Sequence, residues 1–224
     1  MISEIENKIE IPAKTRTTSI TNAEADWLYS FVKEKKVKRT LEIGFAYGFS
    51  GAHIMSGHKG LHTAIDPFQA NYGKLGQKNV KKLGFSKRFR LIENLSQFAL
   101  AELVKKKEKF DFIFIDGGHK FDDIFLDFFF SDLLLSKNGY IALHDNWMRS
   151  TQSVAAWIRQ NRKDYSFVET DLRNLVVIQK DGTDNRNWDH FVEFYPTPGE
   201  VWRLLSELFL FYIYRNIKQK ITSK

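Results

Sequence analysis

The sequence predicts an α/β fold, a doubly wound and mostly parallel seven-stranded sheet that closes with an antiparallel C-terminal hairpin. Three observations carry this expectation. Five short apolar runs alternate with amphipathic stretches of roughly 10 to 15 residues, the rhythm of βαβ crossovers. Two further apolar runs lie only a few residues apart, too close for a crossover helix and right for a hairpin. The chain has 224 residues, 43% hydrophobic and 27% charged, which suffices for one full core and excludes a collagen-like, disordered or coiled-coil class.

In chain order, "TNAEADWLYSFVKE" opens as a helix, with Thr21 as N-cap and Glu24 three residues later completing a capping box. The runs "RTLEI" (39–43), "LHTAID" (61–66), "FRLIE" (89–93), "FDFIFID" (110–116) and "GYIALHD" (139–145) are strand-like, being apolar and bounded by Gly, Asp or Lys clusters. The helix "FDDIFLDFFFSDLLL" is expected to turn its phenylalanines to the sheet and Asp122, Asp123, Asp127 and Asp132 to solvent. "YSFVET" and "NLVVIQ" make the hairpin around "DLR". Residues 1–182 thus read as one domain, and 183–224 as a linker and a C-terminal helix that starts at "TPGE", with Thr197 as cap and Pro198 at the first position. That helix is apolar nearly all round from Leu208 to Tyr214 and then basic, but Arg203 and Glu207 interrupt it too early for a membrane span. Packing on its own domain, a homo-oligomer contact, or peripheral membrane contact through residues 198–220 all suit such a segment.

No cysteine is present, so a disulfide scaffold, a thiol nucleophile and a cysteine-ligated zinc site are excluded. Any metal is held by oxygen or imidazole. "MISEIENKIEIPAKTRTT" has early acidic residues and no apolar core, which does not read as a secretory signal, and a cytoplasmic location is the expectation. The net charge is +7. Its lysine runs fall where helices end, favoured by the negative helix terminus, and no stacking aromatics interleave with them, so no nucleic-acid partner is expected.

In an open α/β sheet, ligands bind beyond the carboxyl ends of the strands, at the point where the strand order reverses. "LEIGFAYGFS" puts Glu42, Gly44, Gly48 and Ser50 there, in a spacing unlike the G-x-G-x-x-G of dinucleotide enzymes. Asp66 ends the second strand, about where an acid grips ribose hydroxyls. Two acids facing a ligand suit a nucleoside with a positive amino group, a description that fits S-adenosylmethionine. Blander readings exist for each residue: Glu42 paired with a lysine, Asp66-Pro67 as a strand-ending turn, Ser96 as an N-cap.

With these motifs, residues 18 to 180 resemble the class I S-adenosylmethionine-dependent methyltransferases, whose sheet is Rossmann-like. Within that class they resemble the metal-dependent O-methyltransferases of the catechol and caffeoyl-CoA type and their bacterial sugar-methylating relatives. The resemblance implies that Glu42, Gly44, Gly48 and Ser50 hold the amino-acid part of the cofactor, Asp66 the ribose, and Ser96 and Gln97 the adenine, with Asp116 also bordering the cofactor.

"FIFIDGGHKFDD" and "IALHDNWM" supply Asp116, His119, His144, Asp145 and Asn146 to the same rim. Asp116, Asp145 and Asn146 are oxygen donors of the kind that magnesium accepts, and the resemblance implies the same three as metal ligands. His119 takes the place of the family's lysine base and is the candidate catalytic base, ahead of Lys120. His144 reads as a strand-end histidine satisfied by backbone, with a role as ligand or behind the ligands as the alternative. His53, His58, His62 and His190 show no ligand spacing and receive no role. The expected activity is methyl transfer to a hydroxyl of a small molecule, a sugar or a phenol, with divalent-metal assistance. The alternatives are a nucleic-acid methyltransferase, for which no N-P-P-Y-type motif is present, and a non-catalytic scaffold docking through its C-terminal helix.

Overall fold

The computed structural model describes Ile5 and residues 7–196; the expected C-terminal helix over 198–220 lies outside them. Thr21 caps α1 (Asn22–Glu34) through the capping box, its hydroxyl accepting from the Glu24 amide while its own amide donates to the Glu24 carboxylate at 2.6 Å. Five strand–helix units follow: β1 (Thr40–Ile43) and α2 (Phe49–Gly57), β2 (His62–Ile65) and α3 (Leu75–Lys82), β3 (Phe89–Ile92) and α4 (Ser96–Lys105), β4 (Phe110–Ile115) and α5 (Phe121–Leu134), β5 (Leu135–Leu143) and α6 (Arg149–Asn161). β6 (Tyr165–Val168) and β7 (Val176–Lys180) form the hairpin.

The seven strands lie in the order β3-β2-β1-β4-β5-β7-β6, with β7 running opposite to the other six. The order reverses between β1 and β4, the switch point that the sequence singles out. Register aligns the strand ends there: Ile43 stands opposite Ile65 and Ile115, and Ile115 opposite Leu143. The loops that follow therefore leave the sheet along one rim.

Both faces of the sheet are covered, as parallel strands require. Leu41, Ile43, Ile113, Ile115 and Ile141 pack with α4, α5 and α6, whereas Phe112, Phe114 and Ala142 pack with α1 and Phe49 and Ile54 of α2. α5 differs from its expected orientation. Ile124 and Phe128 face the sheet, but Phe129 is half exposed, and Asp127 is buried. Asp132 is not free in solvent either: it accepts from Tyr165 and pairs with Arg162 and Lys180. Beyond β7, the polar linker returns to α6, where Asn161 exchanges two hydrogen bonds with the Val192 backbone. Among the described residues no helix is long and apolar enough to cross a membrane.

Candidate active site

The loop from β1 into α2 is dictated by backbone contact. Gly44, Ala46 and Gly48 all have positive φ, at 87°, 44° and 75°. A Cβ on Gly44 would sit 2.0 Å from the carbonyl oxygen of Asp116, so only glycine lets the loops after β1 and β4 touch. At Gly48, the left-handed N-cap of α2, a Cβ would enter the Phe45 ring at 2.6 Å. The two glycines of "LEIGFAYGFS" thus join the halves of the rim and start the helix against the sheet.

Asp66 fastens the same loop from the end of β2. It is buried, and its Oδ2 accepts from the amides of Phe45 (3.1 Å) and Ala46 (2.6 Å) and from the Gln69 side chain (3.0 Å). Oδ1 accepts from the Phe68 amide at 2.7 Å. Glu42 points the other way, into the core. Its carboxyl meets the Ser50 hydroxyl on one side and His62 Nε2, at 3.0 Å, on the other, in place of a lysine partner. Burial, reinforced by the like charges of Asp116 and Asp66, pushes the Glu42 carboxyl well above its usual range. His62 is itself held low, at about 3, by burial.

Ser96 and Gln97 open α4, both partly buried, with Leu95 rather than Ser96 at the N-cap. The Ser96 hydroxyl lies against Asp127, whose carboxyl burial raises to about 6.

A second cluster forms where β4 and β5 end. His144 Nδ1 lies 2.9 Å from Asp116 Oδ1 and 3.4 Å from Asp145 Oδ1, and its Nε2 lies 3.4 Å from Glu24 Oε1. The Asn174 amide nitrogen stands 3.0 Å from both Glu24 Oε1 and His144 Nε2. Burial works against charge on His144, but its hydrogen bonds to Asp116, Asp145 and Glu24 outweigh it and raise the imidazole to about 12. Burial is likewise outweighed at Asp145 and Glu24, which His144 helps to hold at about 2. Asp116 moves up, because there burial prevails. His144 is thus satisfied by three carboxylates and not by backbone alone.

His119, half exposed, places its Nε2 2.9 Å from Asp145 Oδ2. Trp147 reaches the other oxygen of Asp145 at 2.9 Å and leaves its ring open to solvent. Asn146, the third expected ligand, donates through its side-chain nitrogen to the Arg173 carbonyl at 3.1 Å. The donor atoms of Asp116, His144 and Asp145 lie within 4.8 Å of one another, a set of two carboxylates and one imidazole that fits a divalent ion once the His144 proton is displaced. Sequence spacing brings Asp116, His119 and Asp145 together. It misses Glu24 and Asn174, which arrive from distant parts of the chain; the capping signal at Glu24 marked the residue but not this role.

Residues 41–146 match the model of a methyltransferase-domain family. No curated protein sequence matches the chain. Among solved structures, an O-methyltransferase from Bacillus cereus in complex with S-adenosylhomocysteine superposes with a TM-score of 0.65 at 16% identity, over 80% of this chain and 89% of that one. The O-methyltransferase of tomaymycin synthesis from Streptomyces achromogenes, in complex with S-adenosylmethionine, gives 0.61 at 13%, covering 81% and 89%. An S-adenosylhomocysteine-bound methyltransferase of Podospora anserina gives 0.62 at 19%, covering 80% and 92%. At these identities the likeness is one of fold.

Proposed function

From the match of residues 41–146 to a methyltransferase-domain family, we propose that the chain transfers a methyl group from S-adenosylmethionine to a hydroxyl of a small molecule, a sugar or a phenol. The observation that carries the hydroxyl reading is the His119–Asp145 pair, which stands on the same rim as the loop fastened by Asp66. The sulfonium carbon–sulfur bond breaks as the oxygen–carbon bond forms in line with it, and the hydroxyl must lose its proton. His119, paired with Asp145 through Nε2, accepts that proton at its ring, and the carboxylate steadies the resulting imidazolium. Trp147 offers an apolar face beside this pair, suited to a sugar or phenol ring. A divalent ion held by Asp116, His144 and Asp145 would supply charge stabilisation of the developing oxyanion.

The test is calorimetric titration of S-adenosylhomocysteine into wild type and Asp66→Asn, followed by a screen of hydroxyl acceptors with metal and with chelator. Binding weakened by Asp66→Asn, and turnover lost in His119→Ala, are the expected results. A wild type that binds neither cofactor nor product would sink the reading.

A further inference from the structure

The lysine runs, separate along the chain, are gathered by the fold at one end of the sheet. The turns that lead into β1, β2, β3 and β4 all lie at the end opposite the glycine loop, and the bend over 136–139 in β5 lies beside them. From these turns Lys36, Lys38, Lys59, Lys87, Lys107 and Lys137 stand exposed. The carboxylates nearby are committed elsewhere: Glu34 pairs with Lys35, Glu102 with Lys105, and Glu108 with Arg39 and Arg90. Asp111 accepts from the amides of Lys38 and Arg39 at 3.0 and 3.1 Å. The face is left with a surplus of positive charge.

Hydrogen bonds from beneath fix the turns. Asp111 holds the one before β1, and beside Lys59 the buried His58 accepts from the Gly60 amide at 3.1 Å while its Nε2 stands 3.1 Å from Thr40 Oγ1. The negative ends of helices favour cations, but they do not account for this set. Lys36 and Lys107 follow the C-caps of α1 and α4 in left-handed backbone, with φ of 53° and 55°, where glycine is the ordinary residue and a side chain brings strain. Lysine stands there against backbone preference.

The extent of the face selects its partner. Five neighbouring strand starts, about 4.8 Å apart, spread the charges over about 20 Å, which exceeds the screening length of about 8 Å in physiological salt. A small anion meets only part of such a face, and an extended anionic surface meets all of it. None of the exposed Phe and Trp side chains among the described residues lies in these turns, so no base-stacking platform accompanies the charge and a nucleic acid is the poorer fit. Lys35, Lys36, Lys38 and Lys137 also line a cavity of about 300 Å³, with Asp111 as its acidic member, a size suited to a phosphate group.

We propose that this end of the sheet docks on an anionic lipid bilayer, its lysines among the headgroup phosphates, with the rim of Asp66, Asp116 and Asp145 turned away from the lipid. The candidate active site stays open while the protein is bound.

The experiment sediments the full-length protein with unilamellar vesicles of phosphatidylcholine, alone or with about 30% phosphatidylserine, across a salt series. Wild type is expected to bind the anionic vesicles at least about tenfold more tightly than the neutral ones, and to be released as salt rises from about 0.05 to about 0.3 M. Lys36→Gln, Lys38→Gln, Lys107→Gln and Lys137→Gln combined are expected to weaken that binding about tenfold or more, whereas arginine at the same four positions keeps it within about threefold. Circular dichroism checks that each variant is folded. Equal binding to both vesicles, binding to neither, a glutamine variant that binds as wild type does, or tighter binding to single-stranded RNA than to the anionic vesicles at the same salt would overturn the proposal.

Discussion

Replacing Asp66 separates two jobs that its position combines. Asp66→Ala removes the acceptor for four donors, the amides of Phe45, Ala46 and Phe68 and the side chain of Gln69, in a site that is 4% exposed. At about 1 kcal/mol net for each bond, with some donors recovering water, the loss is about 3 kcal/mol. For a domain of this size each kcal/mol moves the melting temperature by about 2–4 °C, so Asp66→Ala is expected to melt about 6–12 °C below wild type. Asp66→Asn keeps a carbonyl oxygen for the three donors at Oδ2 and puts an NH2 against the Phe68 amide alone. Its expected cost is about 1 kcal/mol, or about 2–4 °C. Thermal unfolding followed by circular dichroism, without ligand, measures both variants. A drop of less than about 3 °C in Asp66→Ala, or an asparagine variant as unstable as the alanine one, would refute the claim that this carboxylate fastens the glycine loop.

His119→Ala should reduce turnover by about 10²- to 10⁴-fold with S-adenosylhomocysteine affinity unchanged, read from single-turnover rates beside calorimetry. His58, held at about 4 by burial, stabilises the fold fully above the unfolded-state value of 6.5, and this contribution is lost as pH falls toward 4. The contribution is about 3 kcal/mol, and His58→Gln, which can keep both hydrogen bonds, should flatten the slope of urea-unfolding stability between pH 6.5 and 4 by up to one proton. In manganese titrations, Asp145→Asn should weaken binding at least tenfold.

Strand identity, the hairpin and the Thr21 cap were legible because each is written in residues close together in sequence. β5 begins at Leu135, four residues before the expected Gly139, where Ser136 and Lys137 hid a strand whose first pairing is with Phe110. On α5 the position counted for more than the residue type. Asp127 and Ser131 share the buried side with Ile124, Phe128 and Leu134, so assigning aspartates to solvent by polarity alone placed Asp127 wrongly. The charged cluster was half legible. Asp116, His119 and Asp145 come from two adjacent strand ends, but the carboxylate that completes the surroundings of His144 belongs to α1, where sequence shows only a helix cap. The same holds for His58 and His62, whose partners are set by strand register and not by spacing.

The glycine loop and the charged rim form one mechanical unit. Asp116 donates its amide to the Ile43 carbonyl at 2.8 Å, Gly44 donates to the Ile65 carbonyl at 2.9 Å, and the Gly44 α-carbon faces the Asp116 carbonyl at a distance no side chain tolerates. A shift of the loop therefore moves Asp116, and Asp116 carries His144 at 2.9 Å. His144 in turn touches Asp145, on which His119 depends. The chemistry proposed at His119 and the glycine loop are thus joined by a short path of direct contacts, all on the rim where β1 meets β4. The sheet's switch point supplies the opening, and the absence of a single Cβ at position 44 lets the two sides of that opening meet.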